Sequence, residues 1–472
     1  MQKLATSHEH PDAREPLLQA GLPKDIVTSW LAARPEASAD FKRDIETFSH
    51  FWKTGANLLA MPPRKPARKA EEQRAAALIL EISRAARDRF LVAHVEELYR
   101  ALTKNYANFI RAERLVYDAA ALVPGLTPTA AEVEDEMQFP QKDKDGVEID
   151  QGIFLSRVLE HPRAGTHLCH AMLLPRAESL ARLSQFLARG SVEMKTAAVE
   201  RRGKASFVTL RHPRSLNAED ELTIDEMETA IDLANLDPET SIAIFRGDVV
   251  ENPKYKGRRV FCSGINLTHL YHGKIGYLWY IRRDMGPVNK IFRGVAKPEL
   301  TPDDISGPNI EKPWIAAVDT FAIGGGCQYL LTMDYVLAAK DAYMTLPARK
   351  EGIIPGASNL RLPRFVGDRI ARQAIMYGRR LDCDSPEGRM ICDEVVPPAE
   401  MDAALDRVID GLTSSGVVSA ASNRRAFRVG QEPLDLFRRY IAVYAREQAY
   451  CHFSPALIAN LERHWNAQNR KF

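Results

Sequence analysis

At Ala205 the hydrophobic pattern of this chain changes period, and that change limits the folds open to it. Before it, Ala, Leu and Ile recur at helical spacing among Arg and Glu, as from Glu71 through Val123, where Pro124 is a stop signal. After it, short runs rich in β-branched residues alternate with amphipathic stretches. Residues 207–210 predict a strand, 220–236 a helix and 241–246 another strand. From about residue 400 the pattern is helical again, with apolar residues three and four apart between Leu434 and Tyr444. The expected organisation is a helical N-terminal domain (1–203), an α/β core (204–400) and a helical C-terminal region (401–472). Residues 61–69, rich in Pro, Lys and Arg, read as a solvated connector, and 141–146 as a polar loop.

A chain of 472 residues with 45% hydrophobic content can bury a large core, and a formal charge of +2 gives no reason to expect a nucleic-acid partner. The six cysteines form no C-x-x-C pair and read as free thiols of a reducing cytoplasm. Residues 1–50 lack a hydrophobic signal core, and no run of about 18 apolar residues exists to span a membrane. A soluble, cytoplasmic protein is the expectation.

The chemistry concentrates at two turns. Lys312 to Asp319 contains a short apolar run after Pro313, as a buried strand would, and Gln328 to Met333 continues with helical character. Gly324, Gly325 and Gly326 therefore sit at a strand-to-helix junction. Without Cβ atoms they admit a ligand to the backbone, and the first N–H groups of the helix are unpaired donors at its positive end. Arg259 to Leu267 reads as an extended segment ending in a turn, and its Ile265 N–H is a candidate partner for that of Gly325.

With Val208–Ala218, Ile353-Ile354-Pro355-Gly356 and Leu362–Gly367, these turns resemble, in order, the motifs of the crotonase (enoyl-CoA hydratase/isomerase) superfamily over roughly residues 204–400. The resemblance implies a core of repeated ββα units wound as a spiral, and a homo-oligomer, trimer or hexamer, built through the C-terminal helices. It implies hydratase glutamates at two positions where this chain has Gln328 and Ala348. Neither side chain can act as a general acid or base near neutral pH.

Within the superfamily, the residue set and the long N-terminal extension are similar to its metal-free, cofactor-free dioxygenases. These act on 3,5-dihydroxyphenylacetyl-CoA and O2, giving the arylglyoxylate and CoA and supplying dihydroxyphenylglycine for glycopeptide antibiotics. On that resemblance Ile265 and Gly325 hold the thioester oxygen, and Glu219, Arg283 and Gln328 meet the ring hydroxyls; the Arg282–Arg283 doublet and the run Glu219-Asp220-Glu221 leave open which member of each makes the contact. For an apolar O2 pocket beside the enolate carbon, Ile353 and Ile354 before Pro355 and Gly356 are the nearest candidates; core packing is the alternative reading, and the resemblance singles out Ile353. Phosphates and adenine of CoA call for cations and flat surfaces, for which Arg214, Lys254, Lys256, Arg258 and Arg259 are candidates. Pro213, Leu216, Ser263, Gly264, Ile265 and Asn266 complete the expected CoA set, with Arg446 and Tyr450 added from one face of a C-terminal helix. No metal or cofactor is expected; an iron site would have to use pairs such as His167 with His170 or His269 with His272, away from the glycine turn. A thioesterase, an isomerase and a non-catalytic acyl-CoA-binding scaffold are the alternatives.

Overall fold

The computed structural model describes residues 13–300, 309–414 and 417–470. The start of the segment read for a leader lies outside the described residues.

The N-terminal region is helical. Asp40 caps the helix Phe41–Leu59 by accepting the Arg43 N–H at 3.1 Å, and Phe48, Phe51, Trp52 and Leu58 bury its apolar face. Opposite them lie Ile79, Ile82 and Phe90 of the long helix Ala70–Leu102. The helical pattern from Glu71 to Val123 is two helices, not one run. Lys104, Asn105 and Tyr106 take left-handed conformations (φ 50, 58 and 66°) before the helix Ala112–Leu122 begins. The turn is held by Asn108 N–H on Thr103 O at 2.9 Å and Tyr106 N–H on Thr103 Oγ1 at 3.1 Å. The connector is not simply solvated: Arg68, whose side chain is almost fully buried, pairs with Asp145 at 2.6 Å, and Lys65 Nζ donates to Lys144 O.

The expected ββα spiral follows. Strands β1 (Ser191–Glu193), β2 (Ala197–Arg202), β3 (Ala205–Leu210), β4 (Ile242–Gly247), β5 (Trp314–Val318), β6 (Phe321–Ile323), β7 (Tyr335–Ala339), β8 (Tyr343–Thr345), β9 (Leu381–Asp382) and β10 (Glu394–Val396) divide between two sheets. The large sheet has the order β1-β2-β3-β4-β5-β7-β10 and is parallel from β3 onward; the small one is β6-β8-β9. Successive turns give one strand to each sheet, then a helix. β4 and β5 read as continuous apolar runs because both of their faces are covered. Isolated bridges from Cys262 to Ala322 and from Ile265 to Glu219 extend the small sheet and align the two turns singled out by sequence.

The C-terminal helix Leu434–His452 lies across Ile149–Glu160 of the same chain. Gly152 sits at this crossing, where a Cβ would lie 2.4 Å from that of Ala449. Its apolar residues join the hydrophobic core of the N-terminal helices, while the sheets and the helix Glu221–Leu236 form a second core. Among the described residues no helix is long and apolar enough to cross a membrane.

Candidate active site

β6 ends at Ile323, and Gly324 (φ 53°) turns the chain into the short helix Gly325–Leu330. Opposite, Gly264 (φ 82°) places Ile265 so close that a Cβ on Gly264 would lie 3.1 Å from Gly325 N. Among the described residues nothing accepts a hydrogen bond from the N–H of Ile265 or of Gly325. Both residues line one chamber, and two N–H donors that reach a single ligand oxygen can stabilise negative charge on it. Gly325 is obligatory for a second reason: a Cβ there would meet Glu219 Oε2 at 2.4 Å and Arg283 Nη2 at 2.8 Å.

Those two side chains form the floor of the site. Arg283 donates from Nε to both Glu219 oxygens (2.9 and 3.0 Å), from Nη2 to Gly325 O (2.8 Å) and from Nη1 to Gln328 Oε1 (2.5 Å). Tyr329 adds an O–H on Glu219 at 3.0 Å. Burial alone would lower the Arg283 pKa, but Glu219, Tyr329 and Asp284 outweigh it and raise it. The structure thus brings Glu219, Arg283 and Gln328, the three expected ring partners, into one hydrogen-bonded group. Only Arg283 and Gln328 reach the chamber; Glu219 lies behind them, fully buried, and orients the guanidinium.

The chamber is about 30 Å³, lined by Ile265, Gly325, Gln328, Ile353, Ile354 and Pro355 among others. Gly356 stands just outside, where a Cβ would fall 1.7 Å from Asp284 Oδ2. Such a volume holds about one or two water-sized molecules, so any larger group must displace side chains to enter. Sequence reasoning missed Trp279, Asp284, Glu351 and Tyr444 of this lining. Among the described residues the buried Trp279 indole N–H has no hydrogen-bond partner, and burial raises the Asp284 carboxyl above the usual range. A larger groove of about 640 Å³ adjoins the chamber, and Ile265, Pro347 and Glu351 line both.

Arg214, Leu216, Ser263, Ile265 and Asn266 of the expected CoA set line this groove, with Gly264 in the turn between them. Pro213 does not; its carbonyl accepts the Glu251 N–H at 3.2 Å. Arg258 and Arg259 are engaged by Asp341 and Asp248, whereas Lys350, His464 and Arg470, unforeseen from sequence, face the groove. Arg446 and Tyr450 are not brought to it. Arg446 pairs with Asp88 of the N-terminal helices, because a helix turns about 200° over two residues and Tyr444 is the residue aimed at the chamber. His167 is held by the Tyr99 hydroxyl (2.8 Å) and Tyr106 O (3.2 Å), and among the described residues no group of three His, Cys, Asp or Glu is placed to hold a metal.

The enoyl-CoA hydratase/isomerase family profile matches residues 200–438, the whole span that carries these turns. The chain belongs to the enoyl-CoA hydratase/isomerase family. It is 47% identical over 388 residues, 82% of its length and 88% of the relative's, to the (3,5-dihydroxyphenyl)acetyl-CoA 1,2-dioxygenase of Amycolatopsis orientalis. A short-chain-enoyl-CoA hydratase of Clostridium acetobutylicum is 27% identical over 248 residues, 51% of this chain and 84% of its own. A solved enoyl-CoA hydratase from Mycobacterium avium subsp. paratuberculosis K-10 overlaps 57% of this chain and 98% of its own, at 21% identity and a TM-score of 0.47. This hydratase/isomerase-family chain keeps both backbone donors, yet carries an amide at Gln328 and a methyl at Ala348. Those two side chains have no proton to trade with water.

Proposed function

We propose that this protein is a dioxygenase of arylacetyl-CoA thioesters, with 3,5-dihydroxyphenylacetyl-CoA and O2 as substrates. The observation that carries the reading is the 388-residue match to the Amycolatopsis dioxygenase. It is longer than the stretch from residue 200 to the C terminus and so reaches into the N-terminal helices. The site is consistent with it: donors for an enolate oxygen are present, and acids for hydration are missing at Gln328 and Ala348.

On this reading CoA lies in the groove and the thioester oxygen accepts from Ile265 and Gly325. Each such donor is worth about 2.7–4 kcal/mol of barrier. Loss of an α-proton leaves an enolate, which gives its electron pair to O2 and forms a Cα–O bond. The distal peroxide oxygen attacks the thioester carbon, the C–S bond breaks, and CoA leaves. Loss of the second α-proton with O–O cleavage gives the arylglyoxylate. The enolate is itself the reductant, so the scheme asks for no metal or organic cofactor. Gln328 and Arg283 are the ring-hydroxyl partners, and Ile353 and Ile354 the apolar surface toward O2.

We further read the chain as a homo-oligomer, trimer or hexamer, and its product as the precursor of dihydroxyphenylglycine in glycopeptide-antibiotic synthesis. Phe427, 65% exposed on the helix Val417–Gln431, offers an apolar surface for self-association.

Oxygen uptake by chelator-treated protein with 3,5-dihydroxyphenylacetyl-CoA, coupled to CoA release, is the expected result. No uptake sinks the assignment; CoA release under nitrogen would then indicate a thioesterase, and binding without turnover a scaffold.

A further inference from the structure

Glu351 ends the short helix Ala348–Glu351, with Gly352 (φ 84°) turning the chain toward Ile353 and Ile354. It is one of the three residues, with Ile265 and Pro347, that line both the chamber and the groove. This neck is where a thioester must lie if CoA fills the groove and the acyl group enters the chamber. The α-carbon is one bond from the carbon whose oxygen would meet the Ile265 N–H. Among the described residues the Glu351 carboxylate makes no ion pair and no hydrogen bond. Other carboxylates of the region are engaged: Glu219 by Arg283 and Tyr329, and Asp284 by Arg283 at 3.2 Å.

We infer that Glu351 is the general base that takes the α-proton of the bound acyl-CoA. The inference rests on the dioxygenase reading for its substrate and on the neck geometry for the residue. In the step, the Cα–H bond breaks, its electron pair becomes the enolate, negative charge moves to the thioester oxygen at Ile265 and Gly325, and the proton resides on Glu351. Both α-protons leave the same carbon. The carboxyl hands the first to the departing CoA thiolate and, ionised again, takes the second. Position 351 is three residues beyond Ala348, so the acid occupies the same short helix as the missing hydratase glutamate but its opposite end.

Burial pushes the Glu351 carboxyl up to about 7, with no compensating donor, which suits a base that must be ionised yet retain proton affinity. Tyr280, Arg283, Asp284 and Tyr444 are the titratable or charged side chains on its chamber side. On the groove side stand Arg214, Tyr255, His269, Tyr343, Lys350, His464 and Arg470, and the packed helix Pro455–Trp465 adds Glu462 and Arg463. Glu462 is held by the Tyr271 hydroxyl at 2.7 Å.

The test is exchange of the α-hydrogens of 3,5-dihydroxyphenylacetyl-CoA for deuterium, under nitrogen in D2O, with oxygen uptake measured separately. Wild type is expected to exchange, with a rate that rises with pH to a plateau and an inflection near the Glu351 value of about 7. Glu351→Gln is expected to lose about 10²-fold or more in exchange and in oxygen uptake, to bind the thioester as wild type does, and to lose the inflection. Glu351→Asp should recover part of the rate. Wild-type exchange in Glu351→Gln, or the same inflection in that variant, overturns the inference and directs attention to His269 or His464. Absence of exchange by wild type overturns it too. Wild-type oxygen uptake in any of these cases leaves the dioxygenase reading standing, so the two failures are distinguishable.

Discussion

Removing the charge of Glu219 tests how the floor of the site is built. Glu219 is 0% exposed and Arg283 2%, and their side chains meet at 2.9 Å. Glu219→Gln keeps the shape, so it opens no cavity; its effect is to leave a buried guanidinium facing an amide whose NH2 cannot accept. Removing one partner of a buried pair costs about 3–5 kcal/mol. Asp284, 3.2 Å from Arg283 Nη1, retains part of the compensation and sets the expectation at the lower end, about 3 kcal/mol. Arg283→Met should cost a similar amount by stranding Glu219. The double variant strands neither charge, so it should fall short of the sum by about 1–3 kcal/mol. Urea unfolding followed by both fluorescence and circular dichroism reads these differences, and coincidence of the two probes checks two-state behaviour. A Glu219→Gln protein within about 0.5 kcal/mol of wild type, or strict additivity in the double variant, would refute the account of Glu219 as the anchor of Arg283.

Glu432, fully buried, is held at about 2: burial would raise it, but Arg361, Arg293 and Arg364 outweigh burial. Its folded value lies below the ordinary 4.5, so its contribution is present above that pH and is lost as pH falls toward 2. Glu432→Gln should therefore be destabilised at pH 7 and approach wild type by pH 2, as read from urea midpoints across that range. Gln328→Glu should not yield efficient crotonyl-CoA hydration, because Ala348 still supplies no second acid; robust hydration in a spectrophotometric assay contradicts the two-acid argument.

The two glycine turns were legible because their requirements are local. Gly264 is a glycine because of its positive φ and the backbone packed against it, Gly325 because of the Glu219 and Arg283 side chains, and Glu219 and Arg283 were named from the dioxygenase resemblance. Register was the weak point: the Arg282–Arg283 doublet resolves only in three dimensions, where Arg282 turns outward to Glu221 and Arg283 inward to Glu219. Tyr444 and Trp279 were out of reach, since nothing in their neighbourhood marks which side of a helix will face a chamber formed by other elements. The same ambiguity led Arg446 and Tyr450 to be grouped with the CoA contacts. Glu351 was closer to hand: it adjoins the Ile353-Ile354-Pro355-Gly356 segment, but its meaning depends on having no partner, which a sequence does not display. The break at Lys104–Tyr106 was hidden because apolar spacing continues on both sides of it.

The crossing of Leu434–His452 over Ile149–Glu160 at Gly152 has a consequence for the border between scaffold and site. Tyr444 reaches the chamber from a helix whose other side is clamped by the N-terminal helices and tied to Tyr277 through Ala445 O at 2.7 Å. The clamp and this wall of the chamber are therefore two sides of one helix, joined without either sheet between them. The first third of the chain is thus a splint for the last helix, and swelling of the chamber to admit an aromatic ring would be felt more than a hundred residues away from the glycine turn in sequence.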